Sequence, residues 1–261
     1  MDEASSIETA RRIVGGGRRI VVLTGAGIST DSGIPDFRGP QGVWTKNPKA
    51  EKASHIDSYM NDPEVRVAGW QTRLHSPTWS AKPNAGHMAL VELETRGHLE
   101  LLVTQNIDGL HLVAGHDPDK VVEIHGTMRE TMCMRCGDRQ PMSVVLERVE
   151  AGETDPPCRH TSSAGAQCGG ILKSATISFG QDLVVRDLQR AERAATEADV
   201  MLAVGSTLSV YPAAALVPTA RRYGAQVVIV NADPTGYDEI AGAVFRTPIS
   251  EALPRIVSPT G

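Results

Sequence analysis

Five short apolar runs, each ending in small or polar residues, constrain the fold of this 261-residue chain more than any other feature. The first, Arg19–Leu23, reads RIVVL and passes directly into Thr24-Gly25-Ala26-Gly27. Unbroken apolar runs rich in β-branched residues are typical of parallel strands that are buried on both faces. We therefore predict a buried strand followed by a glycine turn. The other four runs are Leu99–Thr104, Val121–Ile124, Val200–Val204 and Val227–Val230.

Segments with a helical pattern separate several of these runs. Pro83 stands where an N1 proline would open a helix, and Gly97 stands where a C′ glycine would close it. The segments Asp187–Ala198 and Ala213–Tyr223 also have helical patterns. Strands that alternate with helices predict an α/β fold built on a doubly wound, Rossmann-like parallel sheet.

Two stretches interrupt this alternation. The first is rich in proline and holds all three tryptophans, and the second holds all four cysteines. We expect residues 39–80 and 127–172 to form a second, smaller, zinc-binding domain. The large nucleotide-binding domain would then comprise residues 1–38, 81–126 and 173–261.

Composition excludes several classes of partner. The net charge of -5 provides no general attraction for nucleic acid. No stretch approaches the roughly 18 apolar residues that a membrane-spanning helix needs, and the acidic start of the chain lacks the apolar segment of a secretory signal. The sequence therefore predicts a cytoplasmic protein with no membrane partner, in which cysteine thiols stay reduced.

Glycines follow the first strand, in the segment Gly25-Ala26-Gly27-Ile28-Ser29. A glycine turn after a strand lets backbone N–H groups approach a pyrophosphate, although the third glycine of GxGxxG is missing and a plain tight turn remains the alternative. The segment from Asp31 to Arg38 is poor helix material because it holds a glycine and a proline. We interpret it as a mobile lid over a ligand.

Polar clusters follow other runs. Gln105, Asn106 and Asp108 could hydrogen-bond a ribose and a carboxamide, or they could simply form an Asx-turn that caps a helix. His125, followed by Gly126, could act as a general base near pH 7, or it could be structural. Two further clusters with nucleotide-binding residue types are Gly205-Ser206-Thr207 and Asn231-Ala232-Asp233.

The cysteines have metal-site spacing. Cys133 and Cys136 form a CxxC pair, and Cys158 and Cys168 follow at an irregular interval. Four thiolates suffice for a tetrahedral structural zinc site. His160 could replace one cysteine, and unrelated free thiols are the third alternative.

Taken together, these segments resemble the sirtuin family. The matching pieces are GAGISTDSGIPDFRG, KPNAGH, TQNIDGLH, the His-Gly pair at His125, the four cysteines, SFG at Ser178 and VGSTLSVYP. The resemblance runs from about Arg18 to Val257. It implies an NAD-dependent protein-lysine deacetylase that transfers the acyl group to ADP-ribose and releases nicotinamide. NAD would be consumed as a co-substrate, one structural zinc would be bound per chain, and the partner would be an acylated-lysine protein or peptide.

The resemblance also implies roles for individual residues. His125 would be the catalytic base, and Asn106 and Asp108 would orient the ribose and nicotinamide. Phe37 would shield the exposed ribose face. The residues expected to contact NAD are Gly25, Ala26, Gly27, Ser29, Asp36, Phe37, Arg38, Trp44, Gln105, Asn106, Asp108, Gly205, Ser206, Thr207, Asn231, Ala232, Asp233 and Ile249. The residues expected to contact the acylated substrate are Ser178, Phe179, Gly180, Gln181, Val210, Trp70 and Arg73, and the expected zinc ligands are Cys133, Cys136, Cys158 and Cys168.

The sequence departs from the family pattern in places that concern the substrate. Lys173-Ser174 replaces the usual Arg-Pro, Gln181 replaces the usual Glu, and Thr247-Pro248-Ile249 replaces a Gly-x-Ala stretch. Family members that remove succinyl or malonyl groups carry a Tyr-x-x-Arg pair, where this chain has Trp70 and Arg73. We expect Trp70 to narrow the acyl pocket and to favour acetyl-lysine.

The alternatives belong to other functional classes. A desuccinylase or demalonylase would use Arg73 to bind an acyl carboxylate. A mono-ADP-ribosyltransferase would use the same cleavage of NAD, and a binding module would not cleave it. A dehydrogenase is the alternative at the level of the fold.

Overall fold

A computed structural model describes residues 3–36, 39, 42–47, 53–163 and 165–258, without the side chains of residues 3–5 and 44. Its main feature is a six-stranded parallel sheet in the order β3-β2-β1-β7-β8-β9. The chain leaves β1 in one direction toward β2 and β3, and later continues from β7 on the other side of β1. The strands are β1 (Ile20–Thr24), β2 (Leu99–Thr104), β3 (Val121–Glu123), β7 (Val200–Val204), β8 (Gln226–Val230) and β9 (Ala243–Phe245).

The sequence predicted five of these strands to within one residue at each end. β1 begins at Ile20 rather than Arg19, because the backbone N–H of Arg19 donates to the carboxylate of Asp199 at 2.9 Å. β9 was missed because its three residues include only one β-branched side chain, Val244, whereas the run that predicted β3 extends from Val121 to Ile124.

Side chains alternate between the two faces of the sheet, and each face has its own core. Ile20 and Val22 pack with helices on one side, whereas Val21 and Leu23 pack with helices on the other. The helices on the first face are α1 (Glu3–Gly16), α5 (Ala85–Thr95) and α10 (Ile249–Val257); those on the second are α8 (Val185–Glu197) and α9 (Leu216–Arg222). The predicted doubly wound α/β fold is therefore confirmed.

Helix ends differ from the prediction in detail. Pro83 is not the N1 residue of α5, because the side chain of Asn84 caps the helix by accepting from Gly86 N at 2.9 Å. Gly97 follows the C-cap with φ +74°, as predicted. The segment Ala213–Tyr223 divides into a 3-10 turn and α9.

A smaller unit has its own three-stranded antiparallel sheet, in the order β5-β4-β6. Its core contains Trp70, Met142 and Leu172. The strands are β4 (Gly126–Cys133), β5 (Arg139–Pro141) and β6 (Leu172–Thr176). The helices in the excursion segments are α2 (Val43–Lys46), α3 (Ile56–Asn61), α4 (Pro63–Leu74) and α7 (Met142–Glu150), whereas α6 (Leu110–Ala114) follows β2 and packs against α5 of the large sheet.

β6 corrects one of the expected boundaries. The sequence assigned residues from 173 onward to the large domain, but Lys173 and Ser174 pair with β4 of the small sheet. The remaining domain boundaries stay a prediction. Among the described residues, no helix combines the length and apolarity that crossing a bilayer requires.

Candidate active site

The carboxyl ends of the parallel strands lie level with one another. Thr24 pairs with Thr104 on one side and Val204 on the other, and these pair in turn with Glu123 and Val230. The polar clusters that follow the strands therefore lie along one edge of the sheet. They meet near β1, where the strand order changes from one side of the sheet to the other. In open α/β sheets this is where ligands bind.

A cavity of about 1930 Å³ opens at this edge and extends toward the small unit. It brings together His125 and most of the residues predicted to bind ligands. From the predicted nucleotide set, the lining includes Gly25, Ala26, Gly27, Ser29, Asp36, Gln105, Asn106, Asp108, Gly205, Ser206, Thr207, Asn231, Ala232, Asp233 and Ile249. From the predicted substrate set, it includes Arg73, Ser178, Phe179, Gly180, Gln181 and Val210.

Two glycine turns interlock at the base of the cavity. Gly27 N donates to Gly205 O at 2.9 Å, and a Cβ on Gly27 would lie 2.7 Å from the Cα of Gly205. Gly205 has φ +63°, and a Cβ there would lie 2.4 Å from the backbone nitrogen of Ile28. The turns after β1 and β7 can approach this closely only because both are glycine.

A buried hydrogen-bond chain links three polar side chains in the cavity wall. Ser29 Oγ donates to Asp108 Oδ2 at 2.8 Å, and Asn106 Nδ2 donates to Ser29 Oγ at 3.2 Å and to Gly25 O at 3.1 Å. Both amide protons of Asn106 are thus used, so its Oδ1 offers an acceptor. The wall suits a ligand that brings donors, such as a carboxamide NH2 or a ribose hydroxyl.

Asp108 also caps a helix, which was the alternative interpretation of this polar cluster. Its Oδ1 accepts from Leu110 N at 2.8 Å at the start of α6. Burial raises the pKa of this carboxyl, and the hydrogen bonds from Leu110 and Ser29 act in the opposite direction. One oxygen caps the helix while the other meets the Ser29 hydroxyl, so the two interpretations are compatible.

His125 is held in a defined tautomer. Its Nδ1 lies 3.0 Å from the carbonyl oxygen of Gln105, which can only accept, so Nδ1 carries the proton of the neutral ring. Nε2 is left with a lone pair. Burial lowers the pKa of His125, and the hydrogen bond to Gln105 opposes that shift. Gly126 allows close packing here, since a Cβ would lie 2.1 Å from Ala175 O.

Gln105 also connects two strand ends. Its side-chain Nε2 donates to Ser206 Oγ at 2.9 Å, which joins the segment after β2 to the segment after β7. The same residue therefore orients His125 through its backbone and Ser206 through its side chain.

The sequence analysis missed several residues that line the cavity. Arg246 donates to Asn231 O at 2.9 Å and pairs with Asp238. It directly follows β9, so the signal was lost with that strand. Lys173 and Tyr59 also line the cavity, and the Tyr59 hydroxyl donates to Leu172 O at 2.9 Å.

Trp70 does not lie where it was expected. It is fully buried in the core of the small unit, where it packs with Cys133, Met142 and Leu172. The prediction that Trp70 narrows the acyl pocket is therefore wrong, because the apolar core takes up the indole. Arg73 lies 5.7 Å from the Trp70 ring centroid.

The guanidinium of Arg73 reaches the cavity wall and bonds to β6. It donates to Gly69 O and to Ser174 Oγ, both at 2.9 Å. Lys173 is buried beside it, with Nζ donating to Ser174 O at 3.2 Å. Burial, and then the charge of Arg73, lowers the pKa of Lys173 to about 8.

All four cysteines converge at the far end of the small unit. Their sulfur atoms lie within 4.8 Å of one another. The distances Cys133–Cys168 and Cys136–Cys158 are 3.7 and 3.8 Å, against about 3.8 Å for the edge of a tetrahedron with Zn–S bonds of ~2.3 Å. Backbone N–H groups also donate to the sulfurs, for example Cys136 to Cys133 at 3.5 Å.

His160 is not part of this cluster. Its Nδ1 lies 3.3 Å from a carboxylate oxygen of Asp138, and its ring is half exposed. The alternative in which His160 replaces a cysteine is thus not the arrangement found.

Three of the predicted cofactor positions lie outside what the structure describes. Phe37 and Arg38 are not among the described residues, and of Trp44 only the backbone is described. The expected lid is described in part. Its first two residues, Asp31 and Ser32, end a 3-10 helix that begins at Ala26, so only the start of the lid is more regular than the sequence suggested.

Comparison with known proteins fits this geometry. The chain matches the sequence model of the Sir2 family over residues 25–212. The chain belongs to the Sir2 family. This is the sirtuin family whose motifs the sequence contains, and the matched residues span the glycine turns, His125, the cysteine cluster and the Val210 loop.

Relatives of known class cover nearly the whole chain. An NAD-dependent protein deacetylase 2 of Streptomyces coelicolor is 48% identical over 242 residues, which are 93% of this chain and 98% of that protein. An NAD-dependent protein deacetylase of Sulfolobus acidocaldarius is 42% identical, over 91% of this chain and 88% of that protein. A solved Sir2 complex with p53 peptide and NAD+ has a TM-score of 0.82 at 34% identity, covering 98% of this chain and 97% of that chain.

Proposed function

We propose that this chain is an NAD-dependent protein-lysine deacetylase that releases nicotinamide and transfers the acyl group to ADP-ribose. The observation that carries the proposal is that His125, whose Nε2 keeps a lone pair, lines the same cavity as the hydrogen-bond acceptors of Asn106 and Asp108. Relatives with 48% and 42% identity are NAD-dependent protein deacetylases, and Sir2 structures contain NAD and acetylated peptide.

The residues of the cavity fit NAD by their chemistry. The glycine turns leave room for a pyrophosphate, and Asn106 and Asp108 offer acceptors for ribose and carboxamide donors. NAD, when bound, would supply an electrophilic ribose carbon for the acyl oxygen and a ribose hydroxyl that accepts the acyl group. Asn231 and Ser206 line the cavity beyond the glycine turns and would hold the adenosine half.

His125 then acts as the general base. Gln105 fixes the proton on Nδ1, so Nε2 can accept a proton from a ribose hydroxyl at neutral pH. The lowered pKa keeps the imidazole in the neutral form that accepts the proton. The Ser29–Asp108 hydrogen bond holds the carboxylate of Asp108 in place while the proton is transferred.

The cysteine cluster fits one structural zinc per chain, held by Cys133, Cys136, Cys158 and Cys168. Four sulfurs leave no open coordination position, which is typical of structural rather than catalytic sites. None of these cysteines, all of which are described, lines the cavity. The zinc would join β4 to the loop between α7 and β6, and it would not touch the substrate.

One observation favours a second activity on the same site. Arg73 and Lys173 lie side by side in the cavity wall, and Trp70 does not occupy the space in front of them. A guanidinium fork binds carboxylates well. We propose removal of succinyl or malonyl groups as a secondary activity, with acetyl-lysine as the main substrate.

A cytoplasmic location completes the proposal. The four cysteine thiols form a cluster of metal-site geometry, and a reducing compartment would keep them available for zinc. Cell fractionation with an antibody against the protein would test this.

The function itself is tested by incubating the protein with NAD and an acetyl-lysine peptide. We expect nicotinamide to be released in step with the loss of about 42 Da from the peptide, which is the change in mass when an acetyl group is replaced by hydrogen. A gain of ADP-ribose on the peptide would support the transferase instead. NADH absorbance would support a dehydrogenase, and no nicotinamide release would support a binding module.

A further inference from the structure

The loop that follows β6 is clipped to the segment that precedes α3. Ile56 N donates to Phe179 O at 2.9 Å, and Phe179 N donates to Ser54 O at 3.1 Å. His55 and Phe179 thereby form a parallel β-bridge between segments more than 120 residues apart in sequence. Both main-chain polar groups of Phe179 are bonded to this segment.

Side chains reinforce the same contact. The imidazole of His55 lies against the ring of Phe179, with centroids 5.4 Å apart and planes inclined by 34°. Gly180 adopts φ +85°, and a Cβ there would lie 3.3 Å from Cγ2 of Ile56. The ring pair and the backbone pair therefore act on the same residues, and little space remains between the two segments.

The other end of this loop is tied to the proposed base. Ile177 N donates to the backbone oxygen of His125 at 2.7 Å. The stretch 177–179 is thus bonded to His125 at one end and to residues 54–56 at the other. A change at His55 would alter the position of the loop, whereas the hydrogen bond that orients the imidazole of His125 comes from Gln105.

We propose that His55 is a positioning residue for the protein substrate, acting through Phe179; this inference rests on the proposed function. Because Phe179 is already paired, an added substrate strand bonds to the following positions, Gly180, Asp182 and Leu183, which line the cavity. His55 sets where that edge lies relative to His125. It acts on substrate binding and leaves the chemical step unchanged.

Ile56→Pro tests the backbone contact directly. Ile56 is the first residue of α3, and His55 before it is extended with φ −82° and ψ 139°. Proline suits the first helical position and an extended predecessor, so the variant removes the N–H donor to Phe179 without breaking the helix. We expect the KM for an acetyl-lysine peptide to rise about three- to ten-fold, as expected for one hydrogen bond, with kcat and the KM for NAD within two-fold of wild type. Ile56→Val, which keeps the N–H, is the matched control.

A second series tests the ring contact. His55→Ala should raise the peptide KM by about three- to ten-fold, because it removes the aromatic pair, and His55→Phe should restore the wild-type value. His98→Ala is the control for loss of a histidine, since His98 bonds to Gly17 O at 2.7 Å, before the amino end of β2 and away from the cavity. It should leave the peptide KM unchanged. Should Ile56→Pro fail to fold, this series decides the question alone.

Three outcomes would overturn the inference: a peptide KM unchanged in both His55→Ala and Ile56→Pro, a fall in kcat at constant KM, or no recovery in His55→Phe. Wild-type turnover separates these outcomes from failure of the proposed function. If the wild-type protein releases no nicotinamide, the proposed function fails before any variant is compared. If it does release nicotinamide, the variants test only the contact between Phe179 and residues 54–56.

Discussion

The backbone oxygen of Gln105 lies 3.0 Å from Nδ1 of His125 and thereby fixes which ring nitrogen carries the proton and which keeps the lone pair. His125→Ala removes the base and leaves the strands on either side of it, β3 and β4, intact. We expect kcat to fall about 10²–10⁴-fold, with the midpoint of thermal unfolding nearly unchanged. Steady-state deacetylation and calorimetry check this, and near-normal turnover would remove His125 from its role.

The pH dependence of kcat follows from the same contact. Burial lowers the pKa of His125 from its ordinary 6.5. Since the neutral form is active, kcat should rise with pH through a pKa below 6.5 and be level at pH 7. A pH profile measured with saturating substrates checks this. An acidic limb centred above pH 6.5 would contradict the assignment.

The cysteine cluster predicts one tightly bound zinc per chain. Cys158→Ser should lose the metal and destabilise the small unit, because binding and local folding are coupled. His160→Ala should keep it, because His160 pairs with Asp138 instead. Elemental analysis of chelator-washed protein gives the answer. Zinc retained in Cys158→Ser but lost in His160→Ala would show that the ligand set is wrong.

Two glycines with a left-handed backbone allow the cost of backbone strain to be distinguished from the cost of a steric clash. Gly97 has φ +74° with open space around it, whereas Gly205 has φ +63° and faces Ile28 N at 2.4 Å. Gly97→Ala should cost about 1–2 kcal/mol from backbone strain alone. Gly205→Ala should cost clearly more, because the turn after β1 has to shift, and it should also weaken NAD binding. Urea unfolding of both variants tests this; equal losses would contradict the interlock.

Buried titratable groups predict how stability depends on pH. Burial, and then the charge of His116, lowers the pKa of His87 to about 4, and burial lowers that of His111 well below 6.5. As the pH falls, the unfolded chain protonates these histidines before the folded protein does. The stability that comes from burying them in the neutral form is therefore present above pH 6.5 and is lost as the pH falls toward 4. Burial raises the pKa of Glu123 from 4.5 to about 7. Between these pH values the folded state binds more protons at Glu123 than the unfolded state, so this group lowers the free energy of unfolding as the pH rises.

Glu123→Gln isolates the second effect. Without the carboxyl, the free energy of unfolding should rise more steeply between pH 4.5 and 6.5, by up to about 1.4 kcal/mol per pH unit, the effect of one proton. Urea unfolding of wild type and variant across this window provides the slopes, and other groups cancel in the difference. Parallel curves would show that Glu123 titrates normally.

The acyl preference depends on Arg73, whose guanidinium already donates to Gly69 O and Ser174 Oγ. We expect kcat/KM for acetyl-lysine to exceed that for succinyl-lysine in the same peptide. Arg73→Met should reduce the succinyl reaction about ten-fold or more, because a charged hydrogen bond is lost, and should affect the acetyl reaction less. A preference for succinyl that disappears in Arg73→Met would place the enzyme with the acidic-acyl deacylases.

The sequence by itself determined the sheet and the polar clusters at its edge. Apolar runs such as Val200–Val204 indicate burial on both faces, and a glycine or polar residue at each end indicates where the strand stops. Because parallel strands share one direction, the clusters after them had to meet. Gln105, His125 and Gly205 can therefore be identified from the sequence alone.

The tertiary structure alone decided which distant residues meet. The sequence could not show that Trp70 enters the core while Arg73 reaches β6, because both lie on one helix and its orientation depends on packing. It left open whether His160 replaces a cysteine in the cluster, and it could not show that His55 meets Phe179, because these contacts join segments far apart in sequence. Local patterns encode burial and turns, whereas long-range contacts depend on how the finished elements pack.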